Sequence, residues 1–256
     1  VSINDVGFLR GYGIFDFFRI MNGKPIFLSD HLDRFLSSAQ KMGLKHSYSK
    51  DFLGQLIWDL ASMSNEECLG VKMILSAGDS LNGYDPIGDS QLYILPGVFK
   101  FADFENGMGL KSIAFQREMA DIKSLNYAFA LRHWHQIKAE GFDDYLYFTD
   151  SIGVTECSRS NIFIVKNKTI ITPAQGILEG VTRKKIIEIC QLKYNIEIRD
   201  VALQEFLDAD EVFTTGSTKR VIPILQIDNR LINDGKIGQF TQKLYSELVQ
   251  LEGGDF

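Results

Sequence analysis

Between positions 29 and 44 the apolar residues Leu32, Phe35, Leu36, Ala39 and Met42 return at intervals of three and four, the spacing that gathers side chains on one face of an α-helix. Ser29 or Asp30 suits its N-cap and Gly43 its end, so the pattern predicts an amphipathic helix over 29–44. Runs at 15–20, 25–28, 71–77 and 91–95 read as strands, giving a first half of mixed strands with two helices. Pro96-Gly97 then breaks the pattern, and a polar, glycine-bearing stretch runs from Ala102 to Gly109. The expected division is a small α+β domain over 1–98, a link over 99–108 and a larger α+β domain over 109–256.

In the second half Tyr127, Ala130, Leu131, Trp134 and Ile137 form another helical stripe, with Ser124 as cap and Gly141 as stop. Strands at 145–149, 154–157, 161–165 and 169–172 alternate with the turns Ser151-Ile152-Gly153 and Lys166-Asn167-Lys168. That order predicts an antiparallel meander and a sheet without βαβ repeats. Gly180-Val181-Thr182-Arg183 leads into a helix carrying Ile186, Ile187 and Ile189, and strands at 212–215 and 221–225 flank Gly216-Ser217-Thr218. The fold class is α+β.

A chain of 256 residues with 45% hydrophobic and 23% charged positions can bury a sizeable core as one large or two smaller domains. Its net charge of -6 and scattered lysines provide no basic footprint for nucleic acid. Cys68, Cys157 and Cys190 are odd in number and far apart, which suggests neither a disulfide framework nor a zinc site and points to the cytoplasm. His31, His133 and His135 read as surface or helix-end residues, and no metal is assigned. Apolar runs stop well short of the roughly 18 residues that span a bilayer, so no membrane segment is expected. The chain opens on Val1 without a charged-then-apolar leader; secretion is not expected, and a short piece ahead of Val1 is taken to be missing.

Lys123 precedes a predicted helix N-terminus, where the helix dipole disfavours a second positive charge and makes an amine a better nucleophile; the other reading is a solvated lysine. Glu156 lies on an alternating strand and faces either a pocket or water. An amine and a carboxylate on consecutive elements suit pyridoxal phosphate, whose aldehyde takes an amine and whose ring nitrogen takes an acid. Gly180, Val181 and Thr182 open a helix either as an anion site or with Thr182 as an ordinary cap. Gly216, Ser217 and Thr218 bind phosphate or satisfy their own backbone. Arg34 sits opposite the apolar stripe, toward solvent or toward a phosphate. Tyr127 is a core residue by its stripe, with a hydroxyl that can bond the cofactor's phenolic oxygen.

Taken together, five blocks occur in order: Arg10-Gly11-Tyr12-Gly13-Ile14-Phe15-Asp16, His31-Leu32-Asp33-Arg34, Lys123-Ser124-Leu125-Asn126, Glu156-Cys157-Ser158 with Asn161-Ile162-Phe163, and Leu178-Glu179-Gly180-Val181-Thr182-Arg183. In this the chain resembles, over nearly its whole length, the class IV aminotransferases, the fold-type IV pyridoxal-phosphate enzymes that include branched-chain and D-amino acid aminotransferases and aminodeoxychorismate lyases. The resemblance implies a two-domain α+β fold like that of D-amino acid aminotransferase and a homodimer. It implies that Lys123 holds the cofactor through a Schiff base and later moves the substrate proton, and that Glu156 pairs with the pyridine nitrogen. Arg34, Gly180, Val181, Thr182, Gly216 and Ser217 would hold the phosphate, with Tyr127 at the phenolic oxygen. Phe15 would line the substrate side, and the Ser217-Thr218 turn would offer donors to the substrate carboxylate.

On substrate, the carboxylate trap of D-amino acid aminotransferases has no counterpart in Ser80-Leu81-Asn82-Gly83-Tyr84. Lys72 stands near the place of an arginine in branched-chain enzymes and offers a point charge where that family has a fork. The expected reaction is transfer of an amino group from a small apolar, branched-chain-like amino acid to 2-oxoglutarate, so the partners are small amino and keto acids. The alternatives are an aminodeoxychorismate lyase that releases pyruvate and a non-catalytic protein on the same fold.

Overall fold

A computed structural model describes residues 1–253 of the chain. Contacts sort it into two compact units, one of Val1–Lys100 with Asp121–Asn126, the other of Phe101–Ala120 with the residues from Tyr127 on.

The first unit runs α1 (Val6–Arg10), β1 (Gly13–Met21), β2 (Lys24–Pro25), α2 (Leu28–Met42), α3 (Lys50–Met63), β3 (Cys68–Ser76) and β4 (Gln91–Val98). Its four strands form an antiparallel sheet in the order β2-β1-β3-β4. The α2 stripe packs as its spacing requires: Leu32, Phe35 and Ala39 are buried with Ile14, Phe18 and Ile20 of β1 and Leu53 and Ile57 of α3. Each large apolar side chain so buried contributes roughly 1.5–3 kcal/mol. Asn22 (φ 48°) and Gly23 (φ 76°) turn β1 into β2 with two consecutive positive φ values, the signature of a tight hairpin.

The strand expected at 25–28 ends at Pro25, because the chain already enters α2 at Leu28. Phe27, not Ser29 or Asp30, takes the N-cap position, and it does so at φ 52° without a side-chain bond. The Ser29 hydroxyl instead accepts from Lys50 Nζ at 2.8 Å. Gly43 closes the helix in the left-handed conformation, as expected.

Residues 121–126 run alongside the start of β1. Phe15 N donates to Lys123 O at 2.9 Å, Leu125 N donates to Gly13 O at 3.0 Å, and Ile14 and Ser124 form a bridge. β2 pairs only with Ile20 and Met21, which leaves this end of β1 with backbone groups that need partners. Position in the chain put Lys123 in the second half; these bonds and the burial of Ile122 group it with the first unit.

The second unit contains β5 (Met108–Ala114), α4 (Ala128–Ala139), β6 (Asp144–Thr149), β7 (Gly153–Cys157), β8 (Asn161–Lys166), β9 (Thr169–Thr172), α5 (Val181–Lys193), β10 (Asn195–Ile198), α6 (Leu203–Leu207), β11 (Glu211–Gly216), β12 (Arg220–Ile227), β13 (Arg230–Leu231) and α7 (Gln239–Gly253). The sheet order is β10-β9-β8-β11-β12-β5-β6-β7, with β13 beside β12. The meander expected over β6–β9 breaks in the middle: β6–β7 and β8–β9 are antiparallel hairpins, but β8 pairs with β11 and not with β7. Asn167 (φ 49°) with Lys168 (φ 63°) makes the β8–β9 turn. Gly153 (φ 81°) is required at the start of β7, where a Cβ would lie 2.3 Å from Val201 O.

The sheet does contain βαβ crossovers: β5 and β6 are parallel and joined through α4, and β9 and β10 are parallel and joined through α5. A helix between neighbouring strands carries the chain back to the starting end, so the strands must run the same way. The α4 stripe is also rotated from the expected one. Leu131 is 70% exposed, while Phe129 stacks on Phe115 with ring centroids 3.7 Å apart and His133 packs on Phe129. Ser124 does not cap α4; it is buried beside β1, and Tyr127 takes the cap position without a side-chain bond. Among the described residues no helix is long and apolar enough to cross a membrane.

Candidate active site

In the first unit the alternation of β1 sends Phe15 and Asp16 to opposite faces. On one face Lys123 Nζ lies 4.5 Å from the Phe15 ring centroid and Lys72 Nζ 5.8 Å from it. Lys72 reaches that ring diagonally, since β3 pairs Lys72 with Phe17 and Ile74 with Phe15. Three of the residues singled out from the sequence are therefore brought together around one aromatic ring. The helix-dipole argument for Lys123 falls away, because α4 begins only at Ala128. Tyr127 is half-buried at the start of α4, not a core residue, and is thereby corrected.

On the other face Asp16 is almost fully buried and binds Arg34 through both oxygens: Nε donates to Oδ2 at 2.8 Å and Nη2 to Oδ1 at 2.7 Å. His31 Nδ1 lies 2.7 Å from the same Oδ1. Of the two readings of Arg34 the solvent-facing one falls, and so does the surface or helix-end reading of His31: their side chains are 11% and 3% exposed. Burial alone would raise the Asp16 pKa, but the Arg34 charge, together with His31, holds the carboxyl well below the usual carboxylate range. Burial pushes His31 below its ordinary value, so the neutral ring donates its Nδ1–H to Asp16. This trio was invisible to periodicity, because a carboxylate on a strand and two basic residues on a later helix meet only through the packing of α2 on β1.

In the second unit Glu156 on β7 is 4% exposed. Its Oε1 accepts from Arg117 Nε at 2.9 Å, and its Oε2 accepts from Leu178 N at 2.9 Å. The Leu178 carbonyl is held in turn by Asn161 Nδ2 at 2.7 Å. Two residues further on, Gly180 is the N-cap of α5, and no side chain caps that helix. Thr182 is thus not the capping residue. Val181, Thr182 and Arg183 are nonetheless buried, so the first turn presents unsatisfied backbone donors in a sheltered place. A Cβ at Gly180 would meet Asn161 Oδ1 at 2.0 Å, so any side chain there would have to displace Asn161, which holds the Leu178 carbonyl.

The Gly216-Ser217-Thr218 turn joins β11 to β12 and is closed by Lys219 N donating to Gly216 O at 3.0 Å. Ser217 is half-buried and Thr218 exposed. Beneath it lies a polar cluster that the sequence did not disclose. Lys219 Nζ reaches Asp144 Oδ2 and Ser160 Oγ, each at 3.2 Å, and the Ser158 hydroxyl donates to Asp144 Oδ1. Next to Glu156, burial pushes the Cys157 thiol up to about 12, so it stays protonated and packs as an apolar residue.

Each unit taken by itself carries groups that suit part of pyridoxal phosphate. In the second, an uncapped, buried helix start suits a phosphate and a buried carboxylate suits a ring nitrogen; in the first, an amine beside an aromatic ring suits an aldehyde. Two buried hydroxyls, Ser124 Oγ beside Lys123 and Thr215 Oγ1 ahead of Gly216, have no partner among the described residues, as donors awaiting a ligand would.

The sequence profile described as amino-transferase class IV matches residues 13–227. The chain belongs to the class IV aminotransferases. It is 32% identical over 267 residues to a D-alanine aminotransferase of Listeria monocytogenes, covering 98% of this chain and 90% of that one. A protein of Methanocaldococcus jannaschii provisionally named a branched-chain-amino-acid aminotransferase is 29% identical over 255 residues, covering 95% and 88%. A crystal structure from Legionella pneumophila, provisionally described as a 4-amino-4-deoxychorismate lyase, superposes with a TM-score of 0.89 at 30% identity, covering 97% of this chain and 94% of that one. Enzymes of this family depend on pyridoxal 5'-phosphate and act on small amino and keto acids, and this chain is one of them.

Proposed function

We propose that the protein transfers the amino group of a small apolar, branched-chain-like amino acid to 2-oxoglutarate. The observation that carries this reading is the Phe15 ring flanked by Lys123 Nζ at 4.5 Å and Lys72 Nζ at 5.8 Å. It sets an apolar surface and two lysine side chains within one small region. When bound, pyridoxal phosphate supplies an electron sink for the pair released at the substrate α-carbon. Lys123 would hold the cofactor's aldehyde through its Nζ and would serve as the general base and acid for the α-proton. Glu156, held by Arg117 Nε, would face the ring nitrogen and favour its protonated form. The α5 amides at Val181 and Thr182 and the Ser217 hydroxyl would hold the phosphate, a role the family resemblance gives to Arg34 as well, whose Nε and Nη2 donate to Asp16. Tyr127 bonds the phenolic oxygen, and the Ser217-Thr218 turn receives the substrate carboxylate.

Lys72 distinguishes the two substrates of such a cycle. Its ammonium gives the second carboxylate of 2-oxoglutarate a partner that a branched-chain donor does not use. Lys72→Met is expected to raise the KM for 2-oxoglutarate by about tenfold, the loss of one exposed ionic contact, with the KM for leucine changed little. A panel of leucine, isoleucine, valine, D-alanine and aminodeoxychorismate, each with and without 2-oxoglutarate, tests the assignment. Turnover of the branched donors only with the acceptor supports it; pyruvate from aminodeoxychorismate without an acceptor would replace it with elimination. The homodimer belongs to the same proposal: Leu81, Tyr84 and Ile87 are exposed in the first unit and offer apolar surface to a second copy.

A further inference from the structure

Glu156 does not stand alone in its unit. Arg117, in the segment that follows β5, donates from Nε to Glu156 Oε1 at 2.9 Å and from Nη2 to the carbonyl of Ala120. The arginine side chain is 10% exposed and the glutamate 5%, so this is a sheltered, charge-assisted contact and not a surface pair. One guanidinium plane therefore ties the carboxylate to a backbone carbonyl three residues ahead of Lys123 in the chain. The other carboxylate oxygen is held by Leu178 N, just before α5.

We infer that Arg117 is a positioning residue for the cofactor chemistry: it fixes the orientation of Glu156 and is itself anchored on the carbonyl of Ala120. This rests on the reading that Glu156 serves the pyridine nitrogen. The remaining ionisable groups facing Glu156 are differently engaged. Arg183 of α5 spends its donors on Glu179, Pro173 and Thr172. Tyr147 of β6 is kept a neutral phenol, because burial and nearby carboxylates push its pKa well above the usual range. Arg117 is the group placed to hold the Glu156 oxygen in a fixed direction, and its planar fork does so in a way a flexible ammonium cannot.

The test uses the full chain loaded with pyridoxal phosphate, as wild type, Arg117→Met, Glu156→Gln and the double variant. Two quantities are read: the pH at which the visible cofactor band titrates, and the rate of cofactor loss on dialysis. Removing a positive charge and loosening Glu156 both make the protonated lysine–cofactor linkage easier to keep, so the midpoint rises. The expected rise in Arg117→Met is about one pH unit, with cofactor loss faster by about tenfold. Glu156→Gln gives at least as much, and adding Arg117→Met to it changes little further, because the arginine acts through the glutamate. Arg117→Lys, which keeps the charge without the fork, recovers less than half of the shift, and it carries the test if Arg117→Met does not melt cooperatively. An Arg117 variant matching wild type in both readouts, or effects that add in full in the double variant, would overturn the inference while leaving the role of Glu156 intact. A wild type that never develops the visible band would overturn both.

Discussion

Lys123→Ala is expected to lower the rate of amino-group transfer by about four orders of magnitude or more, with the chain still folded. The side chain is asked to do two things that no neighbour duplicates: bond the aldehyde and move the α-proton, the second alone being worth roughly a hundred- to ten-thousand-fold. Lys72 carries an ammonium near the same Phe15 ring, but it reaches it from β3 at 5.8 Å, whereas Lys123 Nζ stands at 4.5 Å. The fold should tolerate the change, because the contacts that seat residue 123 on β1 are backbone bonds, Lys123 O to Phe15 N among them. Single-turnover amino transfer, followed with circular dichroism as a check on folding, measures both halves of the expectation. Residual transfer within tenfold of wild type would remove Lys123 from the reaction.

The largest effect on stability is expected at Asp16. Truncation to alanine strands the Arg34 guanidinium and the His31 imidazole without their shared acceptor, and leaving one partner of a buried ion pair uncompensated costs about 3–5 kcal/mol. For a chain of this size that corresponds to a melting temperature lower by roughly 10 °C. The Asp16 pKa is depressed in the folded state, so its contribution is fully present above the ordinary carboxylate value of 3.8 and fades only as the pH falls below it. His31 adds dependence at milder pH. Its folded pKa lies below the ordinary 6.5, so the unfolded chain takes up a proton that the folded chain refuses, and stability declines as the pH drops beneath about 6.5. Thermal melts of wild type and Asp16→Ala at pH 8, 7, 6 and 5 read both effects. The variant should also bind pyridoxal phosphate less tightly, since Asp16 aims the arginine assigned to the phosphate.

What could be read from the chain and what could not divide along a physical line. The α2 stripe was legible because Leu32, Phe35 and Ala39 recur at the helical period and all three are buried. The turn at Asn167-Lys168 and the helix start at Gly180 were legible because turn chemistry and uncapped helix ends are local. The stripe on α4 failed because apolar residues lie on more than one of its faces, Phe129 on one and Leu131 on another. Which one turns inward depends on Phe115 and Tyr147, strand residues whose rings meet Phe129. The parallel pairing of β5 with β6 was hidden for the same reason: strand patterns show what is apolar, not which neighbour lies alongside. Of the candidate site residues, Lys123, Phe15 and Lys72 could be singled out from the sequence, and the two lysines lie near the Phe15 ring. Their charged supports could not be. Asp16, Arg117, Asp144 and Lys219 acquire their meaning from partners 18, 39 or 75 positions away, as in the bonds to Arg34, Glu156 and each other. A lone buried charge is costly, so an acid within an otherwise apolar strand such as β1 is the one local sign that a distant cation awaits it.

The central claim is that this chain works through a covalent bond between Lys123 and pyridoxal phosphate. Borohydride reduction of the loaded protein, proteolysis and mass spectrometry of the peptides test it most directly. The account predicts one phosphopyridoxyl group per chain, on the peptide containing Lys123 and absent from Lys123→Ala. A label on another lysine such as Lys72 or Lys219, or a loaded protein that reduction leaves unlabelled, would contradict it.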